Sequence, residues 1–132
     1  MTLKKLQKKS APAKNNIALK SAASIKKIDG QKALNFWHIF YNRKRAGKVY
    51  IVETNSDGSA STPFITVMLN KPMQGKGIGS VAFAMACTLS RLPAVYAMVR
   101  KSNIASQKSL EKAGFVPYSK NKAGQDILRW SK

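Results

Sequence analysis

Gln74-Gly75-Lys76-Gly77-Ile78-Gly79-Ser80 carries a glycine at every second position, between an apolar, β-branched run and a run with helical spacing. Glycines so spaced leave few side chains, and their backbone N–H groups are free to converge on an anion. The helix that follows adds its own unpaired N–H groups at the same point. The chemistry this predicts is phosphate binding. Two commoner phosphate loops are excluded by spacing. A nucleotide P-loop needs a glycine, four residues, then Gly-Lys-Ser/Thr. A dinucleotide fingerprint needs glycine where Ser80 stands and an acid about twenty positions on, where Met98 to Lys101 stand.

The elements that must position this loop are legible on both sides. Phe64–Asn70 is aromatic and β-branched and reads as a strand. Apolar residues at Ile78, Ala82, Met85, Leu89 and Leu92 give a helix from Gly77 to Arg91, with Phe83, Ala86 and Cys87 covered as well. Ala94–Val99 is the short apolar strand expected when helices cover a parallel pair, and the right-handed crossover sets it parallel to Phe64–Asn70. Asn103 or Ser102 caps a second helix, Gly114 ends it, and Phe115 packs back on its last turn. Upstream, Phe36–Tyr41 and Val49–Glu53 read as strands around a basic turn, Arg43-Lys44-Arg45-Ala46-Gly47-Lys48. Asn55–Ser59 is a further turn. Phe115–Tyr118 and Ile127–Trp130 close the chain as a hairpin around Asn121–Gly124. The predicted class is α/β (α+β), a mixed, mostly antiparallel sheet with flanking helices.

Gln74-Gly75-Lys76-Gly77-Ile78-Gly79, followed by Asn103, Ser106 and Leu110-Glu111-Lys112-Ala113-Gly114-Phe115, resembles the two signature motifs of the GNAT superfamily of N-acetyltransferases. The likeness runs from about Trp37 to Trp130. It implies that the two parallel strands splay apart and that acetyl-CoA enters the gap. Backbone groups near Met68 and Leu69 would hold the pantetheine, and the amides of Gln74, Gly75, Lys76, Gly77, Ile78 and Gly79 the pyrophosphate. Lys76 would be a peripheral charge. Asn103 and Ser106 would begin the helix beside the pantetheine arm. Family members often carry a tyrosine, before the Glu-Lys-x-Gly-Phe ending, that protonates the departing thiolate. Leu110 stands there in this chain. The pattern is similar to the subgroup that acetylates protein N-termini, including ribosomal proteins.

On that resemblance the hydroxyls of Tyr96, Ser106 and Tyr118 are the substitutes for the missing acid. Glu53, the one carboxylate on a predicted core strand, ranks first as base. His38 has a suitable intrinsic pKa. No cluster of Cys, His and carboxylates is spaced for metal.

Composition bounds the rest. The chain has 132 residues, which suits one domain, and a formal charge of +19 from 24 basic and 5 acidic residues. Eight lysines precede the first acid, Asp29, so residues 1–28 read as a flexible basic tail and 29–132 as the folded domain. Short helical runs are possible inside the tail, one of them Ile17–Ile28. Such a field attracts polyanions, and RNA or a ribonucleoprotein is an expected contact through the tail and Arg43-Lys44-Arg45. A single cysteine, Cys87, precludes a disulfide framework and fits a cytoplasmic location. No apolar run is long enough to span a membrane.

The resemblance implies an enzyme, a compact N-acetyltransferase like the stand-alone members found in bacterial and phage genomes, as a monomer or homodimer. Lacking the two helices that usually wall the acceptor side, it would suit a macromolecular amine, first a protein N-terminus or lysine, then the amino group of an aminoacyl-tRNA. The reading from another class is a non-catalytic nucleic-acid or ribosome-binding protein on the same scaffold.

Overall fold

The structure, a computed structural model, describes residues 16–54 and 61–132. In chain order these form β1 (Ile17–Ser21), β2 (Lys27–Ile28), β3 (Gln31–Tyr41), β4 (Lys44–Thr54), β5 (Thr62–Leu69), α1 (Ile78–Ser90), β6 (Ala94–Val99), α2 (Ile104–Lys112), β7 (Val116–Lys120) and β8 (Asp126–Ser131). A 3-10 turn, Lys71–Met73, links β5 to the glycine loop. One sheet takes every strand in the order β1-β3-β4-β5-β6-β8-β7, with β2 on β3. All pairings are antiparallel except β5 with β6. The mixed, mostly antiparallel sheet with flanking helices is the expected class.

Helices α1 and α2 pack on one face of the sheet. Trp37, Ile39, Val49, Ile51, Ile65, Val95, Ala97, Val99 and Leu128 share a single core with Ile78, Ala82, Phe83, Ala86, Cys87 and Leu110. The buried side of α1 differs from the expected stripe. Ile78, Ala82, Phe83, Ala86 and Cys87 are buried, whereas Met85 is half-buried and Leu89 is 52% exposed. The small residues Ala82 and Ala86 let the helix sit close to the sheet, and Phe83 turns toward Phe115 at 6.0 Å, edge to face. Cys87 is fully buried, and burial pushes its thiol up to about 12.

Two upstream readings are corrected. The Arg43–Lys48 turn is only Asn42-Arg43, both at positive φ (49° and 68°), so β4 already begins at Lys44. A two-residue loop with both residues left-handed matches the twist of paired strands, and asparagine tolerates that conformation. Gly47 then lies inside β4, where a Cβ would collide with the carbonyl of Met68 on β5. Its missing side chain lets the two strands approach.

The second correction concerns Ile17–Ile28. No helix forms there. Ile17–Ser21 pairs antiparallel with Trp37–Tyr41, and Lys27–Ile28 pairs with Gln31–Lys32. Ile17 and Leu19 alternate with Ala18 and Lys20, a period of two rather than 3.6, and Ile17 is 4% exposed in the core. The expected boundary at Asp29 therefore falls beyond the first strands of the sheet. The rest of the expected tail, residues 1–15, and the expected turn Asn55–Ser59 lie outside the described residues. Among the described residues no helix is long and apolar enough to cross a membrane.

Candidate functional site

The parallel strands β5 and β6 are joined at a single position, Phe64 opposite Tyr96. Beyond Phe64, β5 continues to Leu69 with no partner on its β6 side, while Gly47 to Ile51 pair along its other edge. An open strand edge results, with peptide groups facing a gap.

At the mouth of that gap stands the glycine loop. Gly75 (φ 77°) and Gly77 (φ 78°) are left-handed, a conformation that costs other residues energy. Gly77 is the N-cap of α1. No side chain caps the helix there, and no acid lies in its first turn. The first N–H groups of α1 thus face outward with the positive end of the helix dipole behind them. The Gln74 side chain ties the loop back by donating to the Leu69 carbonyl (3.2 Å), and the Asn70 N–H donates to the Ala46 carbonyl (2.8 Å). The hydroxyl of Ser80 donates to the Gly77 carbonyl (3.1 Å).

A cavity of about 350 Å³ joins loop, gap and second helix. Val67 and Leu69 of β5, Gln74, Gly75, Gly77, Ile78 and Gly79 of the loop, Phe83 of α1, and Asn103, Ala105, Ser106 and Ser109 of α2 line it. Asn103 caps α2, its Oδ1 accepting from the Ser106 N–H (3.1 Å). A Cβ on Gly79 would meet the Ser109 hydroxyl oxygen at 3.5 Å, so the start of α1 lies close against the middle of α2. Another cavity, about 450 Å³, lies between α2 and the β7–β8 hairpin, away from the glycine loop.

Of the residues singled out in the sequence, Leu69, Gln74, Gly75, Gly77, Ile78, Gly79, Asn103 and Ser106 meet in the first cavity. Lys76 is exposed and outside its lining, and Met68 is half exposed with its side chain on the far face of β5. Leu110 is 2% exposed in the core. Glu53 is not brought to the cavity. It pairs with Pro63, four residues from Val67, or about 13 Å along the strand. Its carboxylate accepts from the Ser61 hydroxyl (2.6 Å) and sits 3.8 Å from the Lys32 ammonium. Tyr96 and His38 lie on the face of the sheet opposite the helices. Sequence reading missed Val67, Phe83, Ala105 and Ser109. Ser109 was detectable, since it follows Ser106 by one helical turn on the same face. Among the described residues no three His, Cys, Asp or Glu side chains gather as metal ligands would.

No protein-family model and no curated protein matches the chain. Solved structures do. The aminoglycoside acetyltransferase AAC(6')-Ib, solved with acetyl-CoA, superposes with a TM-score of 0.64 at 16% identity, over 74% of this chain. RimJ of Mycobacterium smegmatis, solved with CoA-disulfide, gives 0.61 at 19% identity, over 77% of this chain and 54% of its own. A GNAT-family acetyltransferase of Streptococcus pneumoniae gives 0.60 at 19%, over 74% of this chain and 67% of its own. The chain spans 64% of AAC(6')-Ib. These likenesses establish the fold, that of the GNAT acetyltransferases.

Proposed function

We propose that this protein is an N-acetyltransferase that moves the acetyl group of acetyl-CoA to a primary amine on a macromolecule, first a protein N-terminus or lysine. The observation that carries the reading is the juxtaposition of the β5–β6 gap, the uncapped start of α1 and the Asn103-capped start of α2 around one cavity. The residues present fit acetyl-CoA. An uncapped helix start and two left-handed glycines suit a pyrophosphate, and an unpaired strand edge suits the amides of pantetheine. The amides of Gln74 to Gly79 would hold the first, and backbone groups of Val67 to Leu69 the second. Acetyl-CoA would supply an activated thioester carbonyl.

Ser106, one of the two serines lining the cavity, is the hydroxyl assigned to give a proton to a departing thiolate, and Asn103 fixes its helical turn. The cavity lining carries neither carboxylate nor imidazole. The amine therefore loses its proton to water, and positioning supplies most of the acceleration. A large acceptor is favoured because only the two-residue β2 lies between β1 and β3, which leaves the second face of the sheet without a helix among the described residues.

The test is calorimetric titration of the protein with acetyl-CoA, followed by thiol release in the presence of peptides with free N-termini. Binding and turnover are expected. An absence of binding would overturn the reading, and binding without release on any peptide or lysine would overturn the acceptor class.

A further inference from the structure

The side chains that point away from the helices form a second surface. Strand register places Phe36 beside Tyr50, His38 beside Lys48, Val52 beside Phe64, Phe64 beside Tyr96 and Tyr96 beside Arg129. The rings fall in two groups, Phe36 with Tyr50 and Phe64 with Tyr96 and Tyr118, with Thr66 opposite Tyr50 and Val52 opposite Phe64. Tyr118, 57% exposed, meets Tyr96 edge-on at 5.2 Å. Tyr96 meets Phe64 at 5.9 Å, and Tyr50 stacks on Phe36 at 5.8 Å with planes 8° apart. The Arg129 guanidinium lies 5.8 Å from the Tyr96 ring centre and 5.7 Å from that of Tyr118. Its Nε is buried without a hydrogen-bond partner, and among the described residues no carboxylate lies within ion-pairing distance of it.

Among the described residues the charge on this face has one sign. Register gives it Lys20, Arg45, Lys48 and Arg129. Of the acids at described positions, Glu53 and Asp126 fall on the helix face, Glu111 on α2, and Asp29 in the turn before β3. Solvated apolar side chains add to it, with Met68, Met98 and Val116 each about half exposed. An acidic peptide would satisfy the charges and leave the rings idle. A duplex would satisfy the charges too, but its bases are already stacked. A single strand uses both features at once.

We propose that the face of the sheet opposite α1 and α2, centred on Tyr96, Tyr118 and Arg129, binds single-stranded nucleic acid, with bases stacked on the tyrosines and phosphates drawn to Arg129 and Lys48. The proposal does not rest on acetyl transfer, since binding is read directly.

The experiment is fluorescence anisotropy of the full chain with labelled oligo-U and oligo-dT of about twelve nucleotides, across a salt series. Tyr118→Ala weakens binding about tenfold without changing the slope of log K against log salt. Tyr118→Phe, which keeps the ring, binds as wild type. Arg129→Gln weakens binding and makes the slope shallower by about 0.7, the share of one phosphate on a single strand. Lys108→Gln, on the exposed side of α2, changes affinity little. Tighter binding of either oligonucleotide sustains the proposal and names the sugar. Wild-type affinity in both Tyr118→Ala and Arg129→Gln, each shown folded by circular dichroism, would overturn it. So would displacement of the oligonucleotide by polyglutamate of equal charge, itself dependent on Tyr118, because the face would then recognise acidic protein.

Discussion

Phe64 and Tyr96 are the one pair of residues through which β5 and β6 meet. On one side of that contact the strands part around the glycine-lined cavity. On the other face of the sheet the same two rings form an aromatic group with Tyr118. The candidate cofactor site and the candidate macromolecular surface thus share a boundary two side chains wide.

Gly77→Asp is expected to abolish acetyl-CoA binding while the fold persists. Aspartate would strain a position at φ 78° and set a negative charge at the uncapped start of α1, where the pyrophosphate is proposed to lie. Calorimetry checks this. Unchanged affinity would remove the phosphate from the loop.

Ser106→Ala should lower kcat by about tenfold to a hundredfold with little change in acetyl-CoA affinity, the usual share of a general acid at the low end. Glu53→Gln should keep kcat and the pH–rate profile near wild type, since Ser61 and Lys32 already engage that carboxylate outside the cavity. A collapse of kcat in the Glu53 variant would show that the base is there after all.

Ile17→Ala should cost about 2–4 kcal/mol, the ordinary range for emptying a core site. Ile17 is 4% exposed and belongs to the common core. Urea denaturation measures it. A loss under 0.5 kcal/mol would mean that β1 contributes little to the fold.

His38 gives a pH dependence. Burial, with Arg45 and then Lys48 nearby, holds its pKa below the usual value, and its Nδ1 is buried without a partner. The unfolded chain therefore takes up the proton first. Stability from neutral His38 is complete above the unfolded value of about 6.5 and is lost as pH falls through it toward the folded value. The wild-type Tm should fall more steeply than that of His38→Gln between about pH 7 and pH 5. Parallel curves would contradict the assignment.

The loop and the second helix were readable because glycine spacing and a cap-to-glycine frame are local signals. Asn103, Gly114 and Phe115 do in space what their order predicts, with the Phe115 N–H donating to the Leu110 carbonyl at 3.0 Å. The first strand was not readable, since Ile17 and Leu19 are two apolar residues among lysines and gain meaning only from the β3 edge that they cover. Gly47 was likewise opaque. Its role is a close approach to Met68, twenty-one positions away, and no window of sequence holds both. Glu53 attracted attention by being a rare carboxylate, but scarcity carries no information on which end of a strand a side chain occupies.

The two-residue turn at Asn42-Arg43 also bears on how the molecule assembles. It closes the β3–β4 ribbon, two eleven-residue strands, with almost no loop entropy, so this hairpin is a cheap contact for its length. Strand β6, by contrast, can dock only after the whole of α1 has crossed the sheet, and it then meets β5 at one position. Folding should proceed from the hairpin outward, with the parallel seam closing last. Pulse-labelled hydrogen exchange would see protection at Val49 and Ile51 before Val95 and Ala97; the reverse order would place the nucleus in the crossover. The seam proposed to admit acetyl-CoA is, by this order, also the last part of the sheet to be made.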